Sequence, residues 1–310
     1  MRGRPLRLLA WGAVAAGVAL PLARRRLRLP AAATAAVTGA APLALCVATP
    51  RTRKRDVALY AIQMWAYIVV HELPYDDPER LERRVHVEYP IKVDRALFGS
   101  APTVALQRRL ARPGRPTPLD YALVAVHWAW FVQPHAAAAW ILWRHPDQFP
   151  RAATLICATF DVGALGYALV PTAPPWWAAE HGIAERMNGE TPNMRRIMVD
   201  VGERVWGGLW PALYRFLGGN PLAAMPSLHF GTSVMAASVL DDFGPVPALV
   251  GWGYASALGF ALVYLGEHYV VDLAAGLALA VAIRAAAPFA APAAVRLSRA
   301  LVALEEAARA

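Results

Sequence analysis

The chain has 310 residues, of which 17% are charged and 57% hydrophobic, and 31 basic against 22 acidic side chains leave a formal charge of +9. A soluble domain usually carries about 25% charged residues, and here the apolar excess sits in long blocks separated by short charged stretches. This excludes a disordered chain, a coiled coil and an ordinary soluble enzyme, and predicts an all-α, polytopic membrane bundle.

A helix rises about 1.5 Å per residue, so roughly 20 apolar residues cross a hydrocarbon core of about 30 Å. By that measure the stretches 30–50, 119–143, 152–171, 245–264 and 267–290 read as spans. The shorter blocks 8–23, 56–72 and 226–240 are added as spans whose ends tilt or are shielded by neighbours. No small-x-small cleavage site precedes the Arg24–Arg28 cluster, so the first block reads as an uncleaved anchor. His127 and His135 flank Gln133-Pro134 inside one span, which predicts a proline kink with structural histidines beside it. Cys46 and Cys157 lie in apolar surroundings and read as packing residues.

Two long polar connections interrupt the spans, from Leu73 to Pro118 and from Thr172 to Leu222. In the second, Thr191-Pro192 has the form of a helix start. After it Met194, Ile197, Met198, Val201 and Val205 share one face, and Arg195, Arg196, Asp200 and Arg204 another. That helix either lies in the membrane interface or packs as a loop helix. Basic residues fall on both sides of any alternating topology, so charge does not choose the orientation. The positive charge suits an anionic lipid surface, and no nucleic-acid module is present to use it. The stretch from Arg296 to Ala310 reads as an amphipathic, partly frayed tail.

Three polar side chains stand where apolar helices begin. Met225-Pro-Ser-Leu-His229 opens one span, and Glu267-His-Tyr-Val-Val-Asp272 opens the last. His268 and Asp272 are four apart, so on a helix they share a face. A carboxylate on one ring nitrogen fixes the tautomer and leaves the other nitrogen to attack or to accept a proton. Pro226 and Ser227 suit a helix start, whose N–H groups and dipole favour a phosphate. His229, His268 and Asp272 also form a two-His-one-carboxylate set that would suit iron, but no further ligand cluster accompanies it.

The pieces Pro171-Thr-Ala-Pro-Pro-Trp176, Met225-Pro-Ser-Leu-His229 and Tyr264-Leu-Gly-Glu-His-Tyr-Val-Val-Asp272 together resemble the type 2 phosphatidic acid phosphatase superfamily. Within it they are most like the inositol phosphorylceramide synthase branch and its bacterial relatives. The resemblance implies a six-helix phosphatase-like core at 56–294, preceded by membrane helices at 1–55 and followed by a tail at 295–310. It implies that His268 attacks phosphorus to give a phosphohistidine, Asp272 orients it and His229 protonates the leaving oxygen, without metal or organic cofactor. It also implies a non-cytoplasmic active face, and the alanine- and arginine-rich composition suggests a bacterial plasma membrane. The superfamily's Lys-Arg-Pro element is absent, and Ala261 and Leu262 stand where Ser-Arg is usual. Ser227, Tyr264, Arg195 and Arg196 are the candidates to hold phosphate instead.

The function expected is an inositolphosphotransferase-like enzyme of lipid metabolism, moving a phosphorylated headgroup from a membrane phospholipid to an alcohol acceptor. A phosphatase using water is the alternative. A transporter or scaffold is disfavoured because the halves show no internal repeat.

Overall fold

The computed structural model of the chain describes residues 3–183 and 194–310, so the expected start at Thr191-Pro192 lies outside the described residues. The described residues are helical, with no β-strand among them and two isolated bridges that join loops. Among the described residues, five helices are long and apolar enough to cross a membrane: Arg4–Leu27, Ala31–Ala48, Phe149–Leu169, Pro245–Tyr264 and Val270–Arg309. The all-α polytopic bundle predicted from hydropathy is what forms, and the chain is an integral membrane protein.

The chain divides into two compact units, Met1–Asp76 with Ile283–Ala310, and Asp77–Ala282. In the first, α1 (Gly3–Leu27), α2 (Ala31–Ala48) and α3 (Arg53–Glu72) follow in sequence. Gly17 lets α1 approach α2, since a Cβ there would lie 2.9 Å from the Val37 carbonyl oxygen. Arg24 closes this unit with 2.8 Å ion pairs to Glu72 and Asp76, and Arg55 pairs with Glu305 at 3.2 Å.

The second unit holds α4 (Pro78–Glu82), α5 (Glu88–Phe98), α6 (Pro102–Leu110), α7 (Pro118–Ala129), α8 (Gln133–Arg144), α9 (Phe149–Leu169) and α10 (Pro175–Glu180). After the undescribed segment come α11 (Ile197–Trp206), α12 (Trp210–Gly218), α13 (Leu228–Asp241), α14 (Pro245–Tyr264) and the start of α15 (Val270–Arg309). The predicted span 119–143 is two helices, because Pro134 has no N–H to give and the ladder breaks over 130–132. The last span and the expected frayed tail are instead one helix that runs to Arg309.

On α11, Ile197, Met198 and Val201 are buried against Leu123, Val124, Trp210, Ala261, Tyr264 and Leu265. That part of the apolar face packs inside the protein, while Val205 stays half exposed. Gly202 is required there, because the indole of Trp210 fills the space a side chain would take.

Helices α13 and α15 cross where Gly231 meets Gly276. A Cβ on Gly231 would stand 2.8 Å from the Gly276 carbonyl oxygen, and one on Gly276 would strike the Ser227 carbonyl. The two helix starts that carry the motif histidines are thereby brought to backbone contact.

Candidate functional site

Three loop segments come together above these helix starts. His86 N–H donates to Pro171 C=O (2.8 Å) and Ala173 N–H to His86 C=O (3.0 Å). Thr172 N–H donates to Leu222 C=O and Ala224 N–H to Thr172 C=O, both at 3.0 Å. The Pro-Thr-Ala-Pro-Pro-Trp segment is therefore the middle of a three-segment seam that fixes the approach to Ser227. Thr172 is buried, and its hydroxyl shares a 2.9 Å hydrogen bond with Tyr89.

The Ser227 hydroxyl oxygen caps α13 by accepting the Phe230 N–H at 3.3 Å, which places His229 in the first turn. After α14 the chain reverses at Gly266, where φ is +77°, a conformation glycine adopts without strain. Glu267 and His268 N–H groups both donate to Leu262 C=O, at 3.0 and 3.2 Å. That turn presents His268 immediately ahead of α15, with Asp272 in the first turn of the helix.

The structure brings His229, His268 and Asp272 together in a line. His268 Nδ1 lies 3.3 Å from Asp272 Oδ2, and His268 Nε2 lies 3.2 Å from His229 Nδ1. Asp272 Oδ2 also accepts the Tyr269 N–H at 2.9 Å. The Asp272 backbone carbonyl accepts the Ser227 N–H at 3.0 Å, which couples the two helix starts. His268 is 3% exposed and Asp272 is wholly buried, so their interaction is little diluted by solvent. Asp272 Oδ1 has no hydrogen-bond partner among the described residues. Among them, too, no group of three His, Cys, Asp or Glu side chains has a metal-binding arrangement.

His127, read from the sequence as structural, and Trp130, which the sequence did not single out, flank this line. The His127 ring centroid is 5.0 Å from that of His229, and Trp130 packs on the same ring at 4.2 Å. The Trp130 indole N–H donates to Thr232 at 2.9 Å, which fixes the ring against α13. His127 is buried with no partner for its Nδ1 among the described residues. Only its place one helical turn before a proline break could have marked it.

The candidates for holding phosphate have separate places. Ser227 uses its hydroxyl oxygen as a cap and its N–H on Asp272, and the Leu228 N–H donates to the Tyr167 hydroxyl at 3.2 Å. The Ser227 and Leu228 N–H groups are thus engaged within the protein, while the Ser227 hydroxyl acts as an acceptor in the cap. Tyr264 is fully buried, and its hydroxyl donates to Asp120 at 2.5 Å, remote in role from the histidines. Arg195 is spent on Asp200 (2.6 Å) and the Arg112 carbonyl.

Arg196 differs from these three. It pairs with Glu180, donates to the Tyr214 hydroxyl at 2.8 Å and lies 3.9 Å over the Trp176 ring. Trp176 is itself fixed to the turn before His268, its N–H donating to Gly266 C=O at 3.1 Å. Arg196 Nε and Glu267 Oε1 are both buried without partners among the described residues. Such orphaned groups are costly unless a polar ligand completes them.

Burial pushes the Glu267 carboxyl up to about 7, against the opposing pull of the Arg196 guanidinium, the His268 ring and a hydrogen bond from the Trp176 side chain. The folded state therefore holds a proton that the unfolded chain has released, between its ordinary value of 4.5 and about 7. Stability from this group is complete below the lower value and is lost as pH rises through the upper one. Glu267→Gln should consequently gain stability relative to the parent as pH rises from about 5 to about 8, by at most roughly 3 kcal/mol, read as a rise in its relative apparent melting temperature. Parallel pH curves for the two proteins would contradict this.

Residues 91–286 match the family model of the PAP2 superfamily, well over half of the chain. The inositol phosphorylceramide synthase catalytic subunit aur1 of Schizosaccharomyces pombe is 24% identical over 251 residues, covering 77% of this chain and 55% of that protein. An inositol phosphorylceramide synthase of Candida albicans is 30% identical over 125 residues, 39% of this chain and 26% of its own length. The chain thus spans about half, or less, of the relatives it matches. No solved structure matches it. The chain belongs to the PAP2 superfamily.

Proposed function

We propose that this PAP2 superfamily member is an integral-membrane lipid phosphotransferase working through a covalent intermediate on His268. It moves a phosphorylated, inositol-phosphate-like headgroup from a phospholipid donor to the hydroxyl of an alcohol acceptor such as a second lipid. The observation that carries the reading is the line from Asp272 through His268 to His229, with spacings of 3.3 and 3.2 Å. The relatives bearing the name of inositol phosphorylceramide synthases support the substrate class.

In this reading His229 enters as the imidazolium, Asp272 keeps the proton on His268 Nδ1, and the Nε2 lone pair faces the His229 Nδ1–H. Entry of the donor phosphate parts the two rings and takes the place of their hydrogen bond. Nε2 bonds to phosphorus while the bond to the diacylglycerol oxygen breaks, and the His229 proton goes to that oxygen. The acceptor hydroxyl then gives its proton to His229 and attacks phosphorus, the N–P bond breaks, and His268 is restored. Charge on the phosphoryl oxygens needs a cation, and Arg196, poised beside the turn that bears His268, is the residue we assign to it. A monoanionic diester asks less of one arginine than a dianionic monoester does. This reading takes the active face to be the non-cytoplasmic one, as the family resemblance implies.

The test is purified protein in detergent with a donor carrying a labelled headgroup phosphate and a long-chain lipid alcohol. Label appearing in a new lipid, and absent with His268→Ala, is the expected result. Label released to water as free or headgroup phosphate would make the enzyme a hydrolase. Label left in the donor by wild type and variant alike would overturn the enzymatic reading.

A further inference from the structure

Asp94 belongs to none of the motifs, yet it holds the start of the helix on which Asp272 is built. It lies on α5 and is 2% exposed. Its Oδ2 accepts the Val270 N–H at 2.9 Å, and its Oδ1 accepts the Val271 N–H at 3.0 Å. These are the first two N–H groups of α15, which have no intrahelical acceptor. The residue preceding that helix, Tyr269, has no side chain suited to capping, so a carboxylate from another helix performs the task. Burial pushes the Asp94 carboxyl up, and the two backbone donors pull it down.

The neighbouring contacts give the clamp a direction. Ile91, one turn before Asp94, packs with Ala178 and Tyr269, so α5 holds the same turn by apolar contact. Tyr269 donates its N–H to Asp272 Oδ2, the oxygen that meets His268. The Asp272 carbonyl receives the Ser227 N–H from the segment leading to His229. A shift of the Val270–Val271 backbone therefore reaches both histidines.

We infer that Asp94 is a positioning residue for headgroup transfer: by clamping the Val270 and Val271 N–H groups, it sets the angle at which Asp272 meets His268. The inference rests on the role proposed for His268. A cap of only structural value would lower the melting temperature and leave turnover per folded molecule unchanged. A positioning residue lowers kcat while the substrate is still bound, because small displacements of reacting groups are costly.

The experiment compares purified full-length Asp94→Ala, Asp94→Asn and His268→Ala in the labelled-headgroup assay, with kcat and KM expressed per folded molecule. Asp94→Ala is expected to lose roughly 10²-fold in kcat, with KM held within about twofold. Asp94→Asn keeps one acceptor oxygen and should recover part of that loss. If Asp94→Ala does not fold, Asp94→Asn and Asp94→Ser carry the test, with kcat falling from parent to Asn to Ser at constant KM. Unchanged kcat in the folded variants, or a loss confined to KM, overturns the inference. If His268→Ala abolishes transfer while the Asp94 variants keep full kcat, this inference alone fails. If the parent transfers no headgroup, the reading beneath it fails and takes the inference with it.

Discussion

Replacing His268 by alanine is expected to reduce headgroup transfer by on the order of 10⁴-fold or more, the scale on which loss of a catalytic nucleophile is felt. No other described side chain offers its lone pair along the same line, held by Asp272 on one nitrogen and facing His229 with the other. His229→Ala should cost less, about 10²–10⁴-fold, because a general acid assists bond cleavage but is not bonded to phosphorus. The two losses separate by leaving group. A phosphodiester with a nitrophenol leaving group needs no proton, so the His229→Ala defect should shrink on it, while the His268→Ala defect persists. Steady-state rates on the lipid and nitrophenyl donors check this. Equal shrinkage in both variants would mean that the two histidines share the role of acid, and shrinkage confined to His268→Ala would mean that the roles are reversed. The double variant should be no worse than His268→Ala alone, since residues acting as a unit are not additive.

Gly276→Val is expected to lose about 10²-fold or more in transfer rate although glycine has no side chain to act in the chemistry. Its Cβ would strike the Ser227 carbonyl, and a side chain at Gly231 would meet the Gly276 carbonyl oxygen at 2.8 Å. Backbone on both sides cannot yield as a flexible side chain can, so α13 and α15 must separate. A misplacement near 1 Å costs about 10²-fold in rate, and overpacking adds roughly 1–3 kcal/mol of destabilisation. Gly231→Ala should show the same defect in milder form. Gly253→Ala is the control, because no atom stands within 4 Å of where its Cβ would lie. Transfer rates and apparent melting temperatures of the three variants check the account, and a fully active Gly276→Val would contradict it.

The helical bundle was legible because hydropathy over about 20 residues is a local signal. The pair of His268 with Asp272 was legible because a four-residue spacing becomes a shared helix face. His229 could be joined to them only through the resemblance of its Pro-Ser-x-His segment, not by any period. Asp94 and Trp130 left no mark at all, since each reaches the site from a distant part of the chain: Asp94 is 176 residues from Val270 and Trp130 is 102 from Thr232. Ser227 and Tyr264 were marked for phosphate by general chemistry alone. Helix starts and tyrosine hydroxyls suit phosphate in general, but here Asp272, Phe230 and Asp120 already satisfy them. The split of 119–143 was signalled by Pro134, although hydropathy ran through it without interruption.

The most direct measurement is to quench the protein within milliseconds of mixing with a donor labelled in its headgroup phosphate, under alkaline conditions that preserve a phosphorus–nitrogen bond. Peptide mass spectrometry then locates the label. The account predicts label on His268, carrying the headgroup, that is discharged when the alcohol acceptor is added and is absent from His268→Ala. Transfer to the acceptor at full rate with no covalent label at any time, or with label on His229 instead, would contradict it.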